Sequence, residues 1–271
     1  GHMVENRHLR QALLAHLAGL EGVRLIDGHK VVSLDRDGAR AAARLDDGRN
    51  LRAPLAVATD GRGSPTRRGA AITVTEWRYP QTGIVCTVAH ERPHDGVAQE
   101  HFLPAGPFAI LPMTEGRSSI VWTEKNSLAP DLLGLGDSEF HAELASRFGD
   151  FLGALEVTGP RWSYPIALTH ANRYTGARLA LAGDAAHAIH PLAGQGFNLG
   201  IRDAAALAEL IVDRHRFGLV DDAMKDKILQ ARKFFRENLP EEKQAGIAFF
   251  AEDTYNPKLN TQRNMLMGTI I

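Results

Sequence analysis

The chain is short of cysteine, of charge of one sign and of long apolar runs, and each shortage excludes something. One cysteine, Cys86, in 271 residues leaves no internal disulfide and no Cys-based zinc site, and it points to a reducing compartment. Thirty-one Lys and Arg stand against thirty-two Asp and Glu, for a net charge of −1. The basic excess with which proteins grip nucleic-acid phosphates is therefore missing. No stretch reaches the roughly 18 uncharged apolar residues of a membrane-spanning helix. The most apolar helical run, Ala204 to Val212, is interrupted by Glu209. Lysine is scarce in residues 1–222, which hold Lys30 and Lys125 against twenty-one arginines, whereas residues 223–271 hold five lysines and three arginines. That shift reads either as a solvated charged helix with an irregular terminus or as a tail of different origin.

What remains is the composition of an ordinary globular chain, 44% apolar and 23% charged, long enough for one or two domains. Gly1-His2-Met3 reads as a tag-cleavage and cloning scar and is set aside. Leu9, Leu13, Leu14, Leu17 and Leu20 recur at helical spacing and predict a helix over 4–22. Short alternating segments follow at Val23–Ile26, Val31–Leu34, Ala41–Leu45 and Leu51–Ala58. The Asp-Gly turns between them, at Asp37-Gly38 and Asp47-Gly48, predict a meander. Strand patterns with Pro and Gly between them continue from about Ile72 to Lys125, at Ile84–Val88, His101–Leu103, Phe108–Leu111 and Ser119–Thr123. They predict a mostly antiparallel sheet over 69–165. A helix capped by Ser138 is predicted to Phe148, a buried strand over Arg178–Ala182, and a long helix from about Asn198 to Phe217. Cys86 sits in an apolar run and reads as inert core.

The chemistry concentrates after that buried strand. It delivers Gly183-Asp184 at its carboxyl end, and the loop Pro191 to Gly196 then opens a helix whose first N–H groups lack internal partners. Such a terminus suits an anionic or electron-rich ligand edge. Gly194 and Gly196 let backbone approach a flat ring, and Asp184 is placed to accept hydrogen bonds from sugar-like hydroxyls. His187 and His190 stand three residues apart, but no carboxylate set accompanies them at recognisable spacing, so no metal site is read there. Tyr79 and Gln81 suit either a substrate pocket or sheet packing.

Gly183-Asp184, His190-Pro191 and Gly194-Gln195-Gly196-Phe197-Asn198-Leu199-Gly200 together resemble the second flavin motif of the FAD-dependent aromatic hydroxylases, the class A flavoprotein monooxygenases. The likeness is greatest to the ubiquinone-biosynthesis branch (2-octaprenyl-6-methoxyphenol hydroxylase-like). Asp60-Gly61-Arg62-Gly63-Ser64-Pro65-Thr66-Arg67 resembles that family's other pattern, Asp-Gly-x-x-Ser-x-x-Arg. Gln99, Phe102, Gly106-Pro107 and Leu111-Pro112 are similar to the branch's substrate-domain strands. These residues disfavour a halogenase or a geranylgeranyl reductase, which share the Gly-Asp motif.

The resemblance implies an α/β (α+β) fold. A partial Rossmann-like FAD-binding domain would span 4–68 and 166–222, and an antiparallel substrate domain 69–165. It implies an NAD(P)H-dependent enzyme that uses FAD and O₂ to hydroxylate a phenolic, polyprenylated small molecule. A cytoplasmic location goes with it, with association to the inner membrane or to a protein complex, or self-association. Asp184, with Gly183, would hold the ribityl chain. Gly194, Gln195, Gly196, Phe197 and Asn198 would face the pyrimidine side of the flavin ring, with Pro191 near the reacting position. Asp60 and Gly61 would support the pyrophosphate, Val31 would meet the adenine, and Asn6 would lie near the flavin. In this family the flavin carries the hard chemistry, so no catalytic side chain is assigned.

The family's opening Gly-x-Gly-x-x-Gly unit has no counterpart here, and residues 223–271 match nothing in the family pattern. The resemblance therefore implies an N-terminally truncated piece. The rival reading is a non-catalytic fragment or binding module that does not retain FAD.

Overall fold

Two strands that run parallel, β4 (Ala56–Ala58) and β11 (Leu179–Leu181), bring together segments more than a hundred residues apart, pairing Ala56 with Leu179 and Ala58 with Leu181. The computed structural model describes residues 3–216. Gly1–Ala204 form one compact unit and Ala205–Ile271 a second. The described part of the second, residues 205–216, is the end of helix α5 (Gln195–Arg216). The predicted distinctions within residues 223–271 lie outside the described residues.

The chain opens with helix α1 (Asn6–Ala18), which has no buried residue. The strand predicted at Val23–Ile26 does not form: among the described residues no strand pairs with it, and the Val23 N–H donates instead to the Leu20 carbonyl at 3.4 Å. A three-stranded antiparallel sheet follows, β1 (Val31–Asp35), β2 (Ala41–Leu45) and β3 (Asn50–Ala53). The predicted strand Leu51–Ala58 is in fact two, β3 and β4, divided at Pro54. Proline cannot donate to a ladder, and the chain changes sheets there. β4 joins β11 and the short β10 (Thr175–Gly176) in a second sheet. Leu179, Ala180 and Leu181 are all buried, as expected of a strand covered on both faces.

The third sheet has six antiparallel strands in the order β12-β9-β5-β8-β7-β6. These are β5 (Val74–His90), β6 (Gln99–Leu103), β7 (Gly106–Pro112), β8 (Arg117–Lys125), β9 (Leu155–Ala171) and β12 (His187–Ala188). Burial alternates along β7 and β8, the period of a sheet with one packed face. Helices α3 (Ala129–Gly134) and α4 (Asp137–Phe148) carry the matching apolar residues. Ile84, Val88, Phe108, Ile120 and Trp122 pack with Phe140, Leu144 and Phe148. Cys86 lies in this core, and burial pushes its thiol up to about 11, so it is inert.

The N-cap of α4 is Gly136 rather than Ser138. The Glu139 carboxylate accepts the Gly136 N–H at 3.2 Å, and the cap lies two residues earlier than the sequence suggests. The 17-residue strand β9 is not legible in the sequence, because Gly159, Pro160 and Pro165 read as breakers. Beyond His170 and Thr169, which pair with β12, β9 pairs among the described residues only with β5, so a proline lacking an N–H can face its other side.

Candidate flavin site

The carboxyl ends of β4 and β11 emerge side by side, with the Ala182 N–H donating to the Ala58 carbonyl at 3.0 Å. Asp60-Gly61 follows one strand and Gly183-Asp184 the other. Ligands of α/β sheets bind at such strand ends. Both motifs turn sharply on glycines in the left-handed region, Gly61 at φ 83° and Gly183 at φ 60°.

The Asp-Gly motif is held by its own side chains. Ser64 Oγ donates to Asp60 Oδ1, and the Thr66 N–H donates to Asp60 Oδ2 at 3.0 Å. Ser64 Oγ also accepts the Arg67 N–H at 2.9 Å and so caps helix α2 (Pro65–Gly69). Partial burial works against charge on Asp60, but the hydrogen bonds from Ser64 and Thr66 outweigh it and hold its carboxyl below the ordinary range. Arg67 is 5% exposed. Its guanidinium donates to the Ala185 carbonyl at 2.7 Å and to the Arg62 carbonyl at 2.8 Å. The first bond ties the Asp-Gly motif to the Gly-Asp motif across 118 positions of sequence.

Gly183–Ala185 form a 3₁₀ turn. Asp184 is exposed, and its carboxylate takes part in no hydrogen bond or ion pair among the described residues. Gly200, on α5, lies against this turn, and a Cβ there would stand 3.4 Å from Gly183 Cα. A second 3₁₀ turn, Leu192–Gly194, leads into α5, which begins at Gln195 rather than near Asn198. Gln195, Gly196, Phe197 and Asn198 are therefore the first turn itself. Phe197 and Asn198 are exposed, and nothing lies within 4 Å of a Cβ built on Gly194 or Gly196. A helix N-terminus, open space at two glycines and an unengaged carboxylate fit an electron-rich, hydroxyl-bearing cofactor such as FAD.

His190 carries Pro191 toward the large sheet. Its ring meets Tyr79 of β5 edge-on at 5.1 Å, and its Nδ1 accepts the Leu192 N–H at 3.1 Å. Burial lowers the His190 pKa and raises that of Tyr79. Gln81 is spent on structure, donating to the Ala105 carbonyl at 2.7 Å. His187 and His190 serve different partners and form no pair, since His187 Nε2 lies 2.6 Å from Asp203 Oδ2.

Two of the predicted residues stand apart. Asn6 begins α1 and is exposed, and Val31 begins β1 at 54% exposure; neither meets the two motif turns through any described contact. Sequence reasoning missed Asp203. Its only sequence trace is its place three residues after Gly200, on the same helix face.

These features fit the flavin-binding class of α/β proteins. The family pattern described as "FAD binding domain" matches residues 2–216, and the chain belongs to that family. A protein named ubiquinone hydroxylase UbiL, from Rhodospirillum rubrum, is 54% identical over 219 residues, covering 81% of this chain and 51% of its own length. The 3-demethoxyubiquinol 3-hydroxylase of Escherichia coli is 35% identical over 218 residues, covering 80% and 56%. The chain thus spans about half the length of these relatives. Among solved structures, PqsL of Pseudomonas aeruginosa, described as a probable FAD-dependent monooxygenase, superposes with a TM-score of 0.68 at 25% identity, covering 87% of this chain and 66% of that one. The resemblance read from Asp60-Gly61 and Gly183-Asp184 is borne out, down to the ubiquinone-biosynthesis branch.

Proposed function

We propose that the chain serves an FAD-dependent, NAD(P)H-using monooxygenase that hydroxylates a phenolic ring in ubiquinone biosynthesis. The observation that carries this reading is the convergence of the Asp60 and Asp184 turns at adjacent strand ends, locked together by Arg67. The relatives' names supply the substrate class.

FAD would supply the redox chemistry and the activation of O₂. The protein's residues bind and orient. Asp184 accepts hydroxyl donors of the ribityl chain, with Gly183 giving the turn its shape. The Gly194–Asn198 backbone would present the positive end of α5 to the pyrimidine edge of the ring. Asp60 and Gly61 stand by the phosphates, and Asn6 and Val31 are proposed contacts from the N-terminal elements. Pro191, fixed by His190 against Tyr79, faces the substrate side. The proposed organisation assigns 4–68 and 166–222 to flavin binding and 69–165 to the substrate. No helix among the described residues is long and apolar enough to cross a membrane, and peripheral attachment of a polyprenylated substrate's enzyme is part of the proposal.

The test is to titrate FAD into the chain and follow NAD(P)H oxidation and product with a polyprenyl phenol under O₂. Flavin binding with a hydroxylated product supports the reading. A colourless protein with no flavin affinity supports the non-catalytic fragment instead.

A further inference from the structure

One carboxylate atom holds three elements together. Asp203 Oδ2 accepts the Gly183 N–H at 2.8 Å and lies 2.6 Å from His187 Nε2. Gly183 opens the turn that carries Asp184, His187 opens β12, and Asp203 lies on α5. His187 is 7% exposed, and its other ring nitrogen, Nδ1, is buried with no partner. A hydrogen on Nδ1 would be a buried donor without an acceptor, whereas one on Nε2 meets Asp203. Asp203 thus selects the Nε2–H form of the ring. Among the described residues the Asp184 carboxylate has no hydrogen bond, so the turn sets its direction.

We propose that Asp203 is a positioning residue of the flavin site, acting through Gly183 and His187 to aim the Asp184 turn beside the first turn of α5. The proposal rests on the flavin reading above. Glycine resists no particular backbone conformation, and at φ 60° Gly183 is held by this bond, by the Ala186 N–H that donates to its carbonyl at 2.8 Å and by its contact with Gly200.

The experiment compares the full chain with Asp203→Ala and Asp203→Asn. It uses side-chain ¹H–¹⁵N spectra of the histidines, hydrogen exchange at the Gly183 amide, and FAD fluorescence titration. In Asp203→Ala, His187 should lose its Nε2–H preference, Gly183 should exchange about tenfold faster, and FAD binding should weaken about tenfold. Asp203→Asn keeps an acceptor oxygen and should restore most of the Gly183 protection and FAD affinity. It can also donate to the ring, and should therefore mix the two His187 forms. Should Asp203→Ala fail to fold, the His187 spectrum of Asp203→Asn decides. An unchanged tautomer and unchanged FAD affinity in the folded variants overturn the proposal alone. A wild-type chain with no FAD affinity overturns the flavin reading, and the proposal with it.

Discussion

The six-stranded sheet and the region around β4 and β11 are held in different ways. The sheet buries Ile84, Val88, Phe108, Ile120 and Trp122 under α4, and each of these is at most 1% exposed. The flavin region has a small apolar cluster of Ala58, Ile72, Leu179 and Leu181, and its turns are fixed by polar groups instead: Asp60, Ser64, Arg67 and Asp203. Nearby, α1 and β1 leave Leu13, Leu14, Val31 and Val32 exposed. The sheet is a packed scaffold. The flavin region is a set of turns whose geometry depends on hydrogen bonds, which suits a site that must fit a large polar cofactor.

The largest effect should come from the packed side. Trp122→Ala or Phe140→Ala should cost about 3–5 kcal/mol in denaturant unfolding, because each leaves a cavity among side chains that cannot collapse. A loss under about 1 kcal/mol would break the contrast. On the polar side, Arg67→Ala should cost roughly 2 kcal/mol by leaving the buried Ala185 carbonyl unsatisfied, and Arg67→Lys should recover only part, since one ammonium cannot reproduce the guanidinium fork. Full recovery by lysine would show that charge, not the fork, ties the two motifs.

Asp184→Ala should weaken FAD binding by about 1–3 kcal/mol in a fluorescence titration. Its unfolding free energy should stay within about 0.5 kcal/mol of wild type, because the carboxylate is exposed and unengaged. Equal FAD affinity would remove Asp184 from the site.

Acid should act first at His170, near the end of β9 where the six-stranded sheet pairs with β12. Burial, aided by the nearby His187, lowers the folded pKa of His170. Between that lowered value and the ordinary value near 6.5, the unfolded chain binds the extra proton, so stability should fall as pH drops through this window. Asp60 adds a second loss at lower pH. Its depressed folded pKa contributes stability that is present above the ordinary carboxylate value and disappears as pH falls through the folded one. Melting scans of His170→Gln should show a flatter slope in the upper window; an unchanged slope would exclude His170 as its source. The smallest effect should be Leu13→Ser, within about 0.5 kcal/mol by thermal unfolding, because α1 buries nothing. A larger loss would show that α1 is packed in solution.

Much of the fold was legible because strand periodicity and turn residues are local. The meander, β6 to β8 and α4 were readable from alternation, Asp-Gly turns and helical spacing. The misses fall where tertiary partners override local signals. Pro54 divides one apparent strand between two sheets, and β9 runs through two prolines because β5 pairs along its length. Val23–Ile26 has strand residues but no pairing strand among the described residues. In the site, Asp60, Gly61, Gly183 and Asp184 announced themselves through spacing. Asp203 did not, since an acid on a helix reads as solvated until a distant turn is placed against it.

The order of residues by itself determined the two motif turns, because glycines and acids at fixed offsets after strands encode a ligand-facing turn within a few residues, and the resemblance these motifs carry to the FAD-dependent hydroxylases supplied the cofactor class. Only the tertiary structure decided how those turns are held. The parallel pairing of β4 with β11, the reach of Arg67 to Ala185, and the grip of Asp203 on Gly183 and His187 link residues sixteen to more than a hundred positions apart. Hydrogen bonds of that span depend on where the packed sheets bring the backbone, and no local pattern records them.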